Sequence, residues 1–325
     1  MRPSIRTHII LACLATILPL AIVEVYFLLD HYRSERREAV ANAQREAQAI
    51  ASAASALMVN LQDGALVLAQ EAKLAGGDSR RIQPLLERMV RAAKTRAYVA
   101  FILPSGQVGA SVPQEMAASG LNVGDRPFFQ ALRAGAQWRP VNLMQSRVRE
   151  IPVWGVAAAV REGVRFLGAV AVTVPAMEFD RLIPVKMPVG SWSIVDGRGQ
   201  LVYLNGVADI PWEGRNRPQH ELIRRALSGE GTTSEEFAGP DGVMRLGASV
   251  PIQPFGWVVE VSRPVAEVMA AARTQSLIEG IKYGPALVIA ILIAFLIGNR
   301  AGLPLARLTA AADRVAMGEY NVVAE

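Results

Sequence analysis

The chain has 325 residues, of which 51% are apolar and 19% charged, and its net charge is +5 from 34 basic and 29 acidic side chains. That length allows two or three domains, and the slightly hydrophobic balance suits a soluble portion joined to membrane spans. One cysteine and three widely separated histidines leave almost no material for a disulfide framework, a metal cluster or histidine-based catalysis. We therefore predict no catalytic residue, metal or cofactor. The small positive excess is not informative about nucleic acid, and no nucleic-acid partner is predicted.

The first predicted element is a membrane-spanning helix at residues 9–29. This stretch is apolar except for Thr16, Pro19 and Glu24, and it follows a short basic start at residues 1–8. A cleaved signal peptide is the competing interpretation, but its apolar core would be shorter and no small-x-small cleavage site follows. An uncleaved anchor is favoured, with residues 1–8 as a cytoplasmic N-terminus.

A long stem helix is predicted over residues 30–75. Between Asp30 and Gly76 there is no proline, and the helix formers Ala, Glu, Gln and Arg dominate. Small and apolar residues recur at the alternating spacing of a helix-packing seam, at positions 40, 43, 47, 50, 54, 57 and 61. The seam fits contact with a second copy of the chain and packing on its own domain equally well.

Residues 76–183 form the first of two predicted sheet units, which we call the distal unit. Gly76 and Gly77 are expected to end the stem helix, and the turn residues at 104–106 indicate a hairpin. The expected elements are a helix at 80–95, strands at 98–103 and 107–111, a short helix within 124–135, strands at 153–160 and 166–174, and an exit helix at 178–183. Asp125 is placed to cap the short helix.

A similar order of elements restarts in residues 184–275, the proximal unit. Its hairpin is indicated by the turn residues at 196–199. The expected elements are strands at 191–195 and 200–204, a helix at 221–227, and strands at 232–237, 243–250 and 257–261. The architecture is repeated while the residues themselves are not.

A second membrane span is predicted at residues 279–298. Its uninterrupted apolar run, 284–298, is preceded by Lys282 and Tyr283, which suit the headgroup layer. Two spans leave the residues between them, 30–275, on one side of the membrane.

The tail at residues 299–325 begins a helix at Pro304 and carries an apolar seam, formed by Leu305, Leu308, Ala312 and Val315. It resembles the first half of a HAMP linker, the dimeric relay beneath the membrane in bacterial receptors. The resemblance implies a homodimer and a two-pass protein of the inner (cytoplasmic) membrane, with residues 30–275 extracytoplasmic.

The order of a long helix, two sheet units and a second span resembles the double Cache family of extracytoplasmic sensors. Three segments carry the resemblance: VGDRPFFQALRAG at 123–135, GVRFLGAVAVTVP at 163–175 and VDGRGQLVYLNG at 195–206. It covers roughly residues 30–275. The implied fold is α+β, with a long N-terminal helix plus two PAS-like (Cache) antiparallel-sheet units, flanked by two transmembrane helices.

The resemblance also suggests a ligand pocket in the distal unit. The amino-acid-binding branch of the family uses an arginine and aromatic residues for the carboxylate, and a later strand aspartate for the ammonium. Arg126 matches the arginine, whereas Phe128 and Phe129 stand where the branch has Trp and Tyr. Thr173 occupies the expected place of the aspartate. Free α-amino acids are therefore predicted to be poor ligands, while Arg126 still suits a carboxylate.

Three further aromatic residues, Tyr98, Trp138 and Trp154, are candidates to line the rest of this pocket, although a strand tryptophan such as Trp154 is more often part of the core. Three arginines in the same region are expected to be solvated: Arg147, Arg149 and Arg161.

The resulting hypothesis is the input half of a bacterial transmembrane receptor, whose partners are the lipid bilayer, a second copy of the chain and a small-molecule ligand such as an organic acid. The signal would pass through the HAMP-like tail to an output domain, with a histidine kinase favoured over a diguanylate cyclase or a chemoreceptor. Two alternatives stay open: a membrane-anchored module that senses a periplasmic protein, and a structural stem without a ligand.

Overall fold

The computed structural model describes residues 5–92, 96–183, 185, 190–207, 210–216, 221–230, 233–239 and 241–270, with scattered residues beyond 270. The chain divides into two compact units, residues 39–265 and residues 1–38 with 266–325. The HAMP-like tail lies outside the described residues except at Ala316 and Met317, as does much of the second predicted span.

The secondary structure follows the predicted order. The α-helices are α1 (Ile5–Leu74), α2 (Ser79–Ala92), α3 (Glu115–Ala118), α4 (Pro127–Arg133), α5 (Phe179–Leu182) and α6 (Glu221–Leu227). The strands are β1 (Tyr98–Ile102), β2 (Val108–Val112), β3 (Trp138–Gln145), β4 (Pro152–Glu162), β5 (Arg165–Pro175), β6 (Ser191–Val195), β7 (Leu201–Leu204), β8 (Thr233–Ala238), β9 (Met244–Ile252) and β10 (Trp257–Pro264). Short 3-10 helices lie at Ala176–Glu178 and Trp212–Arg215.

The strands form two five-stranded antiparallel sheets with equivalent strand orders, β2-β1-β5-β4-β3 and β7-β6-β10-β9-β8. In each sheet the last strand of the unit lies in the centre, between the hairpin and the remaining strands. The predicted α+β fold with a repeated sheet architecture is confirmed. The sequence analysis missed β3, an edge strand that contains Pro140; an edge position tolerates proline because one side of the strand needs no ladder hydrogen bond.

The first helix is longer than the predicted stem because it starts at Ile5 and continues through Pro19. It ends as predicted at Gly76 and Gly77, whose φ values of 67° and 73° lie in the left-handed region that favours glycine. By length and composition, one described helix is apolar enough to cross a membrane; its qualifying segment is Val25–Leu74, near the N-terminus.

The seam of α1 is buried within its own domain. Ala43, Ala47, Ile50 and Ala54 are each 0–1% exposed, and they share one core cluster with residues of both sheets. Alanine leaves little side chain between the helix and its neighbours, so the sheets can approach the helix closely. Packing on its own domain is therefore what the structure shows for this seam, while the homodimer stays a prediction.

Polar contacts also hold α1 against the proximal sheet. Glu46 forms an ion pair with Arg263 of β10 at 2.5 Å, in which the two side chains are 33% and 15% exposed. The hydroxyl of Ser55 donates a hydrogen bond to the carbonyl of Gln253 at 3.0 Å. The stem and the second sheet are thus joined at two places about two and a half helical turns apart.

The turn between β6 and β7 docks on β3 of the distal sheet. Asp196 is fully buried, and its Oδ2 accepts a hydrogen bond from the Leu143 amide at 2.9 Å. Its Oδ1 accepts from the amides of Arg198 and Gln200, each at 2.9 Å. The guanidinium of Arg198 donates to the Leu143 carbonyl at 2.6 Å. Both backbone polar groups of Leu143 are thus bound by one turn of the other sheet.

Ile50→Ala should destabilise the domain by about 2–5 kcal/mol, because Ile50 is 0% exposed and its removal leaves a cavity between α1 and the sheets. Urea unfolding of the full chain in detergent micelles, followed by tryptophan fluorescence, measures this change. Val67→Ala is the matched control on the same helix. Because Val67 is 61% exposed, this substitution should lower the free energy of unfolding by less than about 0.5 kcal/mol. Equal effects of the two substitutions would contradict the burial of the seam.

Asp196→Asn should destabilise the domain by about 1–3 kcal/mol. The asparagine side chain has only one acceptor oxygen, and its NH2 group would face a backbone N–H that now donates to the second carboxylate oxygen. The same unfolding experiment measures the loss. Asp241→Asn is the control, since Asp241 also accepts a backbone amide in a turn, that of Val243, but is 49% exposed. A loss no larger than that of the control would show that the contact with Leu143 contributes little.

Candidate functional site

A pocket of about 60 Å³ lies on the distal sheet, where the residues before α4 cross β1 and β5. We call it the distal pocket. Its walls are Tyr98, Ala100, Ile102, Val108, Met116, Leu121, Val123, Arg126, Phe128, Met144, Gln145, Ser146, Arg147, Val153, Ala171 and Thr173. Most of this lining is apolar, and its two charged members are both arginines.

Four of the seven predicted site residues meet in this pocket: Tyr98, Arg126, Phe128 and Thr173. Tyr98 and Thr173 are cross-strand partners on β1 and β5, and the Thr173 hydroxyl donates to the Tyr98 carbonyl at 3.4 Å. Phe128 is buried on α4, where it forms an apolar wall. Among these four residues, Arg126 supplies a guanidinium beside an apolar recess, and Tyr98 and Thr173 supply hydroxyl groups.

The other three predicted residues do not line the distal pocket. Trp154 is fully buried and stacks on Phe179 with a ring-centroid distance of 4.4 Å. Phe129 is also fully buried, on the core side of α4. Trp138 is half-buried at the start of β3, with its ring centroid 5.4 Å from that of Phe255. Aromatic character identified these residues, but each one faces the core or the proximal unit.

Arg126 occupies the position before α4 and has extended backbone angles, φ −72° and ψ 135°. The helix then begins at Pro127, where a missing amide hydrogen costs no helical bond. Arg126 Nη2 donates to the Gln145 carbonyl at 3.2 Å. Its Nε is buried and has no hydrogen-bond partner among the residues that the structure describes. A half-buried guanidinium whose buried Nε donor is unused suits an anion.

Asp125 does not cap α4 as predicted. The cap position belongs to Arg126, and the Asp125 carboxylate instead accepts two hydrogen bonds from Arg147, at 3.0 and 2.5 Å. This bidentate pair lowers the pKa of Asp125 and raises that of Arg147. Arg147 is solvent-exposed as expected, with a side chain that is 41% exposed, and it also holds the segment before α4 and lines the pocket.

The two other arginines that were expected to be solvated also have partners. The Arg149 guanidinium lies over the Tyr98 ring, 5.6 Å from its centroid, and pairs with Glu115 at 3.3 Å. Arg161 donates to the Leu132 carbonyl at 2.5 Å, at the last turn of α4. Arg149 thus lies over a residue that lines the distal pocket, and Arg161 fixes the end of the helix that follows Arg126.

The segment that carries Arg126 is fixed to the β1–β2 turn. The Val123 amide donates to the Gly106 carbonyl at 2.8 Å, and the Gly124 amide donates to the Asn122 side chain at 2.8 Å. Gly106 has a φ of 88°, and a Cβ atom there would lie 2.5 Å from the Gly124 Cα. Only glycine allows this close approach, which positions Arg126 above the sheet.

A larger cavity, of about 520 Å³, lies where the distal sheet meets the β6–β7 turn. We call it the inter-sheet cleft. It is lined by Arg126, Leu143, Met144, Gln145, Ser146, Arg147, Glu150, Arg198, Gln200 and Trp212. Arg126 borders both cavities, and together with Arg198 it also borders a recess of about 60 Å³ beside α4.

The arginines at these cavities influence one another. Burial lowers the pKa of Arg126, and the neighbouring charges of Arg147 and Arg198 lower it further, while Asp125 opposes the change. Arginine stays protonated in proteins despite such a shift. The site therefore holds a positive charge that burial and two like charges disfavour.

Sequence reasoning missed Met144 and Ser146 as pocket residues, because it did not predict β3, the strand that leads into this wall of the pocket. The available signal was the alternation of buried and partly exposed residues around Val141 and Leu143. Within the described ranges, no group of His, Cys, Asp or Glu side chains could hold a metal ion.

Comparison with known proteins comes from a family model and from solved structures. The dCache_1 model, described as Cache domain, matches residues 32–272. Among curated proteins, none matches the chain at a significant level.

Solved structures of low sequence identity share the fold. The extracellular domain of rpHK1S-Z16, described as a histidine kinase, is 18% identical with a TM-score of 0.58, and the match covers 72% of this chain and 97% of that chain. The ligand-binding domain of the Pseudomonas fluorescens chemoreceptor CtaA, in complex with L-isoleucine, is 14% identical with a TM-score of 0.58 and coverages of 74% and 98%. That of the Campylobacter jejuni chemoreceptor Tlp3, in complex with L-valine, is 13% identical with a TM-score of 0.54 and coverages of 73% and 97%.

The family match spans the stem, both sheets and the distal pocket, and the equivalent strand orders agree with a doubled unit. The chain belongs to the Cache domain family and carries a ligand-sensing input domain of the double Cache kind.

Proposed function

We propose that the distal pocket binds a short organic acid, whose carboxylate is held by Arg126 and whose apolar part enters the recess over β1 and β5. The observation that carries this proposal is the buried, unpartnered Nε of Arg126 at the edge of an apolar pocket. A carboxylate matches the planar fork of a guanidinium and supplies the missing acceptor.

The size of the distal pocket limits the ligand. Its volume is about 60 Å³. A cavity needs roughly 10–15 Å³ to hold one water molecule, so the pocket accommodates about four to six non-hydrogen atoms. Propionate has this size. Its ethyl group suits the apolar wall that includes Ala100, Phe128 and Ala171.

The lining also disfavours an α-amino group. The related structures of CtaA and Tlp3 contain amino acids. In this chain the described lining residues include no aspartate or glutamate, and Thr173 lies where the family resemblance suggests an aspartate. An ammonium in this pocket would face two arginines without a counter-charge, which is costly in a partly buried site.

The remaining parts of the proposal concern signalling. Residues 9–29 and 279–298 would cross the inner membrane and place residues 30–275 outside the cytoplasm. The HAMP-like sequence at 299–325 would pass the signal, in a homodimer, to an output such as a histidine kinase. Support comes from the apolar composition of both segments, the resemblance of the tail, and the Cache domain between them.

Propionate should stabilise the full chain in detergent micelles, whereas L-alanine, which adds an α-amino group to the same skeleton, should not. Binding to the folded state raises stability by about 2.7 kcal/mol when the ligand is at one hundred times its Kd. A thermal-shift titration with both compounds measures the difference. Stabilisation by L-alanine equal to that by propionate would contradict the argument from the missing counter-charge.

Arg126→Gln should weaken propionate binding by about 10- to 100-fold, because a charged hydrogen-bonding partner contributes about 1.5–3 kcal/mol. Isothermal titration calorimetry on the full chain in micelles measures the affinity. Arg139→Gln is the matched control, since Arg139 is exposed on β3 and does not line the distal pocket. Unchanged affinity in Arg126→Gln would move the ligand away from the distal pocket.

A further inference from the structure

The inter-sheet cleft differs from the distal pocket in size and in charge. Its volume is about 520 Å³, against about 60 Å³ for the distal pocket. Three arginines and one glutamate, Glu150, are the charged residues in its described lining. A short acid in the distal pocket would not occupy this cleft. The size and the charge of the cleft are therefore not explained by the ligand proposed for the distal pocket.

The three arginines of the cleft are not equally engaged. Arg147 is bound by both oxygens of Asp125. Arg126 has no carboxylate within 4 Å among the described residues, and its Nε is unpartnered. Arg198 lies 3.9 Å from Asp196, whose two oxygens already accept three backbone amides. Two guanidiniums at the cleft are therefore weakly compensated.

These two guanidiniums come from different sheet units. Arg126 precedes α4 on the distal sheet, and Arg198 belongs to the β6–β7 turn of the proximal sheet. They border the same cleft and also the same small recess beside α4, so they face a common space. The Arg198 side chain is fixed by its bonds to the Leu143 carbonyl, at 2.6 Å, and to Gln200 Oε1, at 3.2 Å.

We propose that the inter-sheet cleft is a second ligand site, which binds a small organic dianion with one carboxylate at Arg126 and the other at Arg198. Each guanidinium suits one carboxylate, and two carboxylates match the two weakly compensated charges. Gln200 adds a neutral hydrogen-bonding group, and Trp212 supplies an apolar wall. Such a ligand would bridge the two sheet units, whereas a ligand of the distal pocket contacts the first unit only.

Succinate is the probe for this site, with butyrate as a comparator that has the same carbon chain but one carboxylate. Isothermal titration calorimetry on the full chain in detergent micelles should show succinate binding that depends on Arg198 and butyrate binding that does not, since butyrate lacks the group for Arg198 and also fits the distal pocket. Butyrate binding that is as tight as that of succinate and equally weakened by Arg198→Gln would overturn the proposal of a dianion.

Gln200→Glu tests the cleft without removing a structural contact. The Gln200 amide keeps its bond to Asp196, and a glutamate oxygen can still accept from Arg198. The new negative charge should weaken succinate binding by about 10-fold or more through like-charge repulsion. Gln130→Glu is the matched control, since Gln130 is exposed on α4 and lines neither cavity.

Arg198→Gln is the second variant and should also weaken succinate binding by about 10-fold or more. Propionate binding, measured in the same variants, reports on the distal pocket and on folding, and should stay within about two-fold of the unmodified chain. Succinate affinity that is unchanged in both Gln200→Glu and Arg198→Gln overturns the second site. Propionate that fails to bind while succinate depends on Arg198 would overturn the distal-pocket proposal alone.

Discussion

The close packing of two sheets on one helix is the constraint on which the rest of the domain depends. The buried face of α1 carries mostly alanine, so the backbone of the helix lies near both sheets, and one continuous core joins them. A longer side chain at Ala47 or Ala54 would push the sheets away and open that core. The ion pair of Glu46 with Arg263 and the hydrogen bond from Ser55 add polar contacts to the proximal sheet. Both sheets that carry the cavity walls are therefore positioned relative to a single helix.

Strand β3 is the second shared element, because it serves the distal pocket and the contact between the units at the same time. Leu143 exchanges hydrogen bonds with Asp196 and Arg198, and Asn142 accepts one from the Trp257 indole at 3.0 Å. Met144, which follows Leu143 in the strand, lines both the distal pocket and the inter-sheet cleft. Pairing with β4 is irregular between Val141 and Met144. A ligand that moves Met144 therefore acts on a strand whose adjacent residues are bound to the proximal sheet.

The sequence allowed the fold and part of the site to be predicted, for identifiable reasons. Turn residues such as Asp196–Gly199 and the glycines after α1 mark element ends locally, so the proximal strands and the end of the stem could be placed. Strand β3 was missed because Pro140 argues against a strand unless its edge position is known. Trp154 was proposed for the pocket by its residue type, yet it stacks on Phe179 in the core. The pairing of Asp125 with Arg147 joins positions 22 residues apart and has no local signal.

Electrostatics explains how a site of this kind would respond to an anion. Burial and the charges of Arg147 and Arg198 disfavour the ionised form of Arg126, but an arginine at this depth keeps its proton, so the cost stays in the folded state without ligand. A carboxylate bound as proposed would remove part of that cost and satisfy the free Nε, which would stabilise the folded domain. The cost arises partly from Arg198, which belongs to the other sheet unit. A dianion held by both Arg126 and Arg198, as proposed for the cleft, would link the free energy of binding to the contact between the two units, and a receptor needs such a linkage in order to convert binding into a change of packing.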